Sequence, residues 1–230
     1  MGNRIDEIIK LIDCCHVAAD IGTDHAYVPE ILINEGICRK VIATDLNEGP
    51  FKIAKSYIES KSLSDIIDVR LGDGLHPIDL KEVDTIIIAG MGGYLIREII
   101  DFRKNEFNNR HTLVLQPMNA SDKLRHYLFD NGFELVDEGL AKEDFHFYEI
   151  IKAKKRKDIE NIDGEIFFEV GKALFIKKHP LLRSFIENKI RINDDIIRNL
   201  QSSHAEMDTM KMLRHKKNLL QELIHEYEII

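Results

Sequence analysis

At 230 residues, with 44% hydrophobic and 31% charged residues, the chain holds enough material for one full core and a modest appendage. No apolar run approaches the roughly 18 residues needed to span a bilayer, and MGNRIDEIIKLID mixes acids into an amphipathic start instead of a basic-then-apolar signal, so a cytoplasmic protein is expected. The formal net charge of -8 argues against a polyanionic partner only until its distribution is read: residues 1–151 carry 16 Lys+Arg against 27 Asp+Glu, whereas residues 152–217 carry 16 against 10.

In chain order, the pattern predicts a helix over 4–14, then a strand at VAADI (17–21), a helix over 26–35 with Pro29 in its first turn and Gly36 at its end, and a strand at VIATD (41–45). A helix over 50–62 follows, with strands at 66–71, 83–89 and 111–116 and helices over 93–102 and 121–131. Near-continuous apolar strands alternating with helices form a mostly parallel sheet covered on both faces. The pattern then breaks: strands at 133–141 and 146–153 have no room for a helix between them, so they pair antiparallel as a terminal hairpin. Beyond residue 164 a helix to about 178, ended by Pro180, precedes two long amphipathic helices joined near Gln201–Ala205. Cys14, Cys15 and Cys38 form neither an even set nor a CxxC pair, and they read as idle thiols with no disulfide and no metal site.

The stretch ADIGTDHAYVPEIL ends a strand, turns through Gly22 and Thr23, and starts a helix, as a dinucleotide loop does. It carries one glycine where a pyrophosphate loop needs three, and Asp24 occupies the second of those places. A carboxylate there repels a pyrophosphate and welcomes a cation. S-adenosylmethionine, an adenosine derivative with a sulfonium and an ammonium, fits. Asp20 and Asp24 suit the ammonium, Asp45, followed by Leu46, suits the ribose hydroxyls, and Asp73 with Gly74 in LGDGL suits the adenine. Each acid taken singly also reads as a helix cap. The second strand-end glycine loop, Ala89-Gly90-Met91-Gly92-Gly93, lacks the Asn/Asp-Pro-Pro-aromatic segment that grips an exocyclic amine, which suits a ring-nitrogen acceptor. There Met91 reads as a soft surface for the acceptor base, and Gly90 and Gly92 as points of close backbone approach. His25 and Tyr27 are candidates to stack on that base or hold its edge, with a purely structural role as the alternative.

ADIGTDHAYVP, ATDLNEGP, GDGL, IAGMGG and LQPM, in this order, resemble the bacterial tRNA adenine-N1 methyltransferases that modify adenosine 22. The resemblance runs over roughly residues 5–153, with a looser match beyond. It implies a class I fold with a Rossmann-like, seven-stranded, mostly parallel sheet and a terminal antiparallel hairpin, plus a C-terminal helical, coiled-coil-like extension. It also implies S-adenosylmethionine as donor and tRNA as acceptor. On this reading residues 1–157 form the cofactor-binding methyltransferase domain and 158–230 the tRNA-binding extension. Asp24, His25, Tyr27, Gly90, Met91 and Gly92 are then the candidates at the reacting base. Lys154, Lys155, Arg156 and Lys157, with Lys177, Lys178 and Arg183, are the candidates for phosphate contacts. A monomer is expected, with a dimer as the alternative. A methyltransferase acting on a small molecule or protein, with the helices as a dimer interface, and a non-catalytic cofactor-fold module are the other readings.

Overall fold

The computed structural model describes residues 3–156, 164–201 and 207–229. The chain falls into two compact units, residues 1–161 and 162–230. The expected boundary at 157/158, Lys157 and most of the junction near Gln201–Ala205 lie outside the described residues.

The first unit alternates helix and strand: α1 (Asn3–Lys10), β1 (Cys15–Ile21), α2 (Tyr27–Asn34), β2 (Cys38–Asp45), α3 (Glu48–Ser60) and β3 (Ile67–Leu71). It continues with β4 (Thr85–Met91), α4 (Gly93–Asp101), β5 (Thr112–Pro117), α5 (Ser121–Asp130), β6 (Phe133–Glu143) and β7 (His146–Lys155). The seven strands lie in the order β3-β2-β1-β4-β5-β7-β6. The first five are parallel, and β7 is antiparallel to both β5 and β6. The expected fold and terminal hairpin are therefore present, with the hairpin turning through Asp144 in the left-handed region.

Strand alternation divides the core between the two faces. Ile86, Ile88, Leu113 and Leu115 face Ile96, Ile100, Leu124 and Leu128 of α4 and α5. Ile87 and Val114 face Ile8, Leu32, Ala54 and Ile58 of α1, α2 and α3. Helix α1 ends at Lys10, earlier than the apolar spacing predicts. The N–H groups of Leu11 and Ile12 bond only three residues back, to Ile8 and Ile9, and the chain straightens into β1 two residues ahead of VAADI.

The thiol expectation is overturned for two of the three cysteines. Cys15 and Cys38 open adjacent parallel strands, the register sets them opposite each other with Cα atoms 4.9 Å apart, and their sulfurs form a disulfide. That spacing is within normal disulfide range. Register, which residue spacing does not reveal, brings the two together, and Cys14 stays free and exposed.

In the second unit the helix predicted over 164–178 is two short ones, α6 (Ile166–Val170) and α7 (Lys172–Ile176), because the chain passes between them through Gly171 at φ +92°. Helices α8 (Leu182–Gln201) and α9 (Met207–Ile229) pair antiparallel. The Asn193 amide donates to the Leu213 carbonyl at 2.8 Å, and Lys217 pairs with Asp194 four residues further along α9. Glu169 of α6 holds Lys189 of α8 at 3.9 Å and also pairs with Lys216 of α9.

Candidate active site

The β1–α2 connection forms one wall of a cavity of about 490 Å³ at the carboxyl edge of the parallel strands. Asp20, Gly22, Thr23, Asp24, His25 and Tyr27 line it from this connection, and Ala89 and Gly90 line it from β4. The loop is held from the neighbouring strand: the N–H groups of Gly22 and Thr23 both donate to the Thr44 carbonyl at 2.8 Å. Gly22 has φ +75°, and a Cβ there would collide with Met91 Cε, so the position takes no side chain without strain. Asp24 and Ala26 also have positive φ, 52° and 57°. Left-handed backbone costs a non-glycine residue about 1–2 kcal/mol and gathers at functional sites.

Asp20 is 5% exposed and accepts one hydrogen bond, from the Thr23 hydroxyl at 2.7 Å. Burial pushes its carboxyl up to about 6, Thr23 pulls it back, and the charge of Asp45 adds to the rise. Asp45 ends β2, and its two carboxylate oxygens take the N–H groups of Asp24 (3.3 Å) and Asn47 (3.0 Å). Neither Asp24 nor Asp45 caps a helix in the ordinary way: the cap positions of α2 and α3 are Ala26 and Asn47, neither with a side-chain bond. Each Asp45 oxygen keeps a further lone pair for a hydroxyl donor. Leu46 beside it is 60% exposed.

His25 Nδ1 lies 2.7 Å from Asp24 Oδ2, so Nδ1–H donates to that carboxylate. Its ring stacks on Tyr27 at 5.5 Å and 11°. Tyr27 meets Tyr57 edge-on, and the Tyr57 hydroxyl donates to Glu30 at 2.5 Å, so the aromatic pair is braced from α3.

The predicted residues do not all share this cavity. Asp73 and Gly74 line a second cavity of about 220 Å³ with His76, Leu95, Ile99 and Phe102, where the rings of His76 and Phe102 sit 4.1 Å apart. Asp45 connects the two regions, through the Asp24 N–H on one side and through its own carbonyl, which accepts the Gly72 N–H at 2.9 Å, on the other. Met91, the soft surface suggested for the base, is half-buried. It packs on the core and against Gly22, and the methionine that lines the large cavity is Met118. Gly93 sits against the Asn119 and Ala120 carbonyls, where a Cβ would be 2.7 Å away, and its N–H donates to Asn119 at 3.1 Å. Gly92 abuts the Asn119 side chain, so the end of the glycine loop is fixed to the β5–α5 turn. Arg4, His76 and Phe102 escape a strand-end search because none sits on the fingerprint positions, whereas Met118 directly follows β5 in the LQPM motif. Arg4 reaches the cavity from α1, a placement that only the tertiary fold sets.

The basic run is not beside the cavity. Because β7 is antiparallel, Lys154 pairs in register with Thr112, the first residue of β5, at the opposite edge of the sheet. Lys152 and Lys154 bind Asp13, Lys155 Nζ donates to the Asn131 carbonyl and lies over Phe133, and Arg156 pairs with Glu134. In the second unit, Lys177 ends α7, Lys178 has φ 52°, and Arg183 pairs with Glu187 along α8.

Strand order, terminal hairpin and strand-end acids define a class I methyltransferase. A family model described as tRNA (adenine(22)-N(1))-methyltransferase matches residues 18–225. The Bacillus subtilis (strain 168) protein of that description is 31% identical over 230 residues, 97% of each chain. The chain belongs to the tRNA (adenine(22)-N(1))-methyltransferase family. Streptococcus pneumoniae Sp1610 in complex with S-adenosyl-L-methionine superposes with a TM-score of 0.85 at 27% identity, covering 98% of this chain and 100% of that one. M. capricolum TrmK in complex with S-adenosyl-homocysteine does so with a TM-score of 0.83 at 26% identity, covering 98% of each chain.

Proposed function

We propose that this chain methylates N1 of adenosine 22 in tRNA with S-adenosylmethionine as donor, and that it does so as a monomer in the cytoplasm. The observation that carries the reading is a carboxyl edge lined with acids, Asp20, Asp24, Asp45 and Asp73, in a chain of this family. This donor set suits the cofactor: Asp20 and Asp24 for the ammonium, Asp45 for the ribose hydroxyls, Asp73 and Gly74 beside the His76–Phe102 pair for the adenine. It suits a pyrophosphate poorly, since an uncompensated carboxylate in a shielded pocket repels one. When bound, S-adenosylmethionine supplies an electrophilic methyl group and leaves as S-adenosylhomocysteine.

Adenine N1 has a free lone pair at neutral pH, so no residue need remove a proton before attack. Holding the base in near-attack geometry is the chain's main task, and orientation of this kind is worth roughly 7–11 kcal/mol of barrier. We assign the holding to His25, stacked on Tyr27, with the ring pair set against the base. Gly90 and Gly92 leave the base room, and Met118 takes the apolar role the sequence suggested for Met91. The purine becomes cationic as it is methylated, and the Asp24 carboxylate lowers the energy of that charge. Residues 1–157 act as the methyltransferase domain and 158–230 as the tRNA-binding one, with Lys177, Lys178 and Arg183 for phosphates. Lys154, Lys155 and Arg156 are engaged within the fold and are left out of this role.

Incubating the protein with unmodified tRNA and the donor, then mapping the product by mass spectrometry, tests the reading. It expects 1-methyladenosine at position 22. Methyl groups appearing only in protein or small molecules would favour the other enzyme reading instead.

A further inference from the structure

We infer that Arg4 binds a backbone phosphate of the tRNA beside the adenosine being methylated; the inference rests on the tRNA reading above. Arg4 lies in the first turn of α1 and lines the large cavity together with Asp24, His25, Gly90 and Met118. Its backbone N–H donates to Glu143 Oε1 at 3.1 Å, which anchors the start of α1 to β6. The guanidinium itself forms no ion pair among the described residues. It rests over the Tyr148 ring, 5.1 Å from the centroid, and Nη1 is 3.8 Å from Met118 Sδ. An aromatic face and a thioether orient a guanidinium without neutralising it.

A cation left unpaired in the wall of an acid-lined cavity calls for an anion from outside. Position indicates which one. The acids assigned to the cofactor end β1, β2 and β3, whereas Arg4 is held by β7 and by the residue that follows β5. At about 4.8 Å per strand, β5 stands about 14 Å from β2, on the side away from the ribose and adenine acids. The reactant expected on that side is a nucleotide turned out of the tRNA, and its anion is phosphate. The planar guanidinium fork matches phosphate oxygens in pairs. A grip of that kind fixes the backbone while the base enters the cavity.

The test compares wild type, Arg4→Gln and Arg4→Lys for tRNA binding by fluorescence anisotropy over a salt series, for steady-state kinetics, and for S-adenosylhomocysteine binding by calorimetry. R4Q is expected to raise the Kd and KM for tRNA about five- to tenfold and to lower the slope of log Kd against log salt by about one. Its S-adenosylhomocysteine affinity should stay within twofold of wild type. R4K is expected to restore the slope but only part of kcat/KM, and it carries the comparison should R4Q fold poorly. Unchanged tRNA binding in the variants, or a loss confined to S-adenosylhomocysteine, which would point to the cofactor's carboxylate, overturns the assignment. A wild type that neither binds nor methylates tRNA would instead sink the tRNA reading itself.

Discussion

At the carboxyl end of β1, Asp20 is buried with the Thr23 hydroxyl as its hydrogen-bond donor, whereas Arg125 of α5, also buried, meets Glu138 at 2.6 Å and Glu149 at 2.8 Å. Both sites take charge out of water, and they do it differently. The Arg125 cluster spans α5, β6 and β7, and its cation finds two carboxylate partners within the fold. Asp20 is left short of a cation, and its carboxyl is pushed up to about 6. A buried charge paired within the fold is costly to break, and one left without a cation marks the place where a ligand completes the set.

Breaking the Arg125 cluster should have the largest effect. Arg125→Met leaves two buried carboxylates facing each other and is expected to lower the unfolding free energy by about 3–5 kcal/mol in a urea titration. Loss of less than 1 kcal/mol would show that the cluster is not the brace described here. Asp20→Asn should do the opposite. Between pH 4 and 6 the folded chain keeps a proton on Asp20 that the unfolded chain releases, so stability falls as pH rises through that window. The deficit of about 3 kcal/mol is fully present above pH 6. D20N removes it, so the variant should be more stable than wild type at pH 7 and show no such slope, while losing affinity for S-adenosylhomocysteine.

Gly22→Ala introduces both the strain of φ +75° and a collision with Met91 Cε, at a cost of about 1–3 kcal/mol together with weakened cofactor binding. Equal affinity in wild type and G22A would remove the loop from the site. The smallest effect is expected at the charges that end the hairpin. Replacing Lys154 and Arg156 by Gln should cost under about 1 kcal/mol each and change tRNA affinity less than threefold. Replacing Lys177, Lys178 and Arg183 should weaken tRNA binding tenfold or more in a filter-binding assay. A reversal of those two results would return the phosphate role to the run that ends β7.

The strands, the parallel sheet and the hairpin are legible in the sequence because apolar runs and turn residues act locally. The acids at 20, 24, 45 and 73 are legible because a strand end fixes which edge they occupy. What spacing hides is register and packing. The Cys15–Cys38 pairing depends on how two strands align. The outward-facing methionine is Met118 and not Met91, because Met91 fills the space that Gly22 leaves open. The basic run is local in sequence, yet the antiparallel turn of β7 carries it to the edge away from the cavity. Arg4 belongs to an amphipathic helix like many others until the fold brings it beside Tyr148 and Met118.

Calorimetric binding of S-adenosylhomocysteine from pH 5 to 7.5 tests most directly whether the unbalanced acid at the end of β1 is completed by the cofactor's ammonium. The affinity should rise with pH, by up to about tenfold per unit below pH 6, and level off above it, with NAD failing to bind at any pH. Affinity that is flat across this range, or tight binding of NAD, would contradict the account.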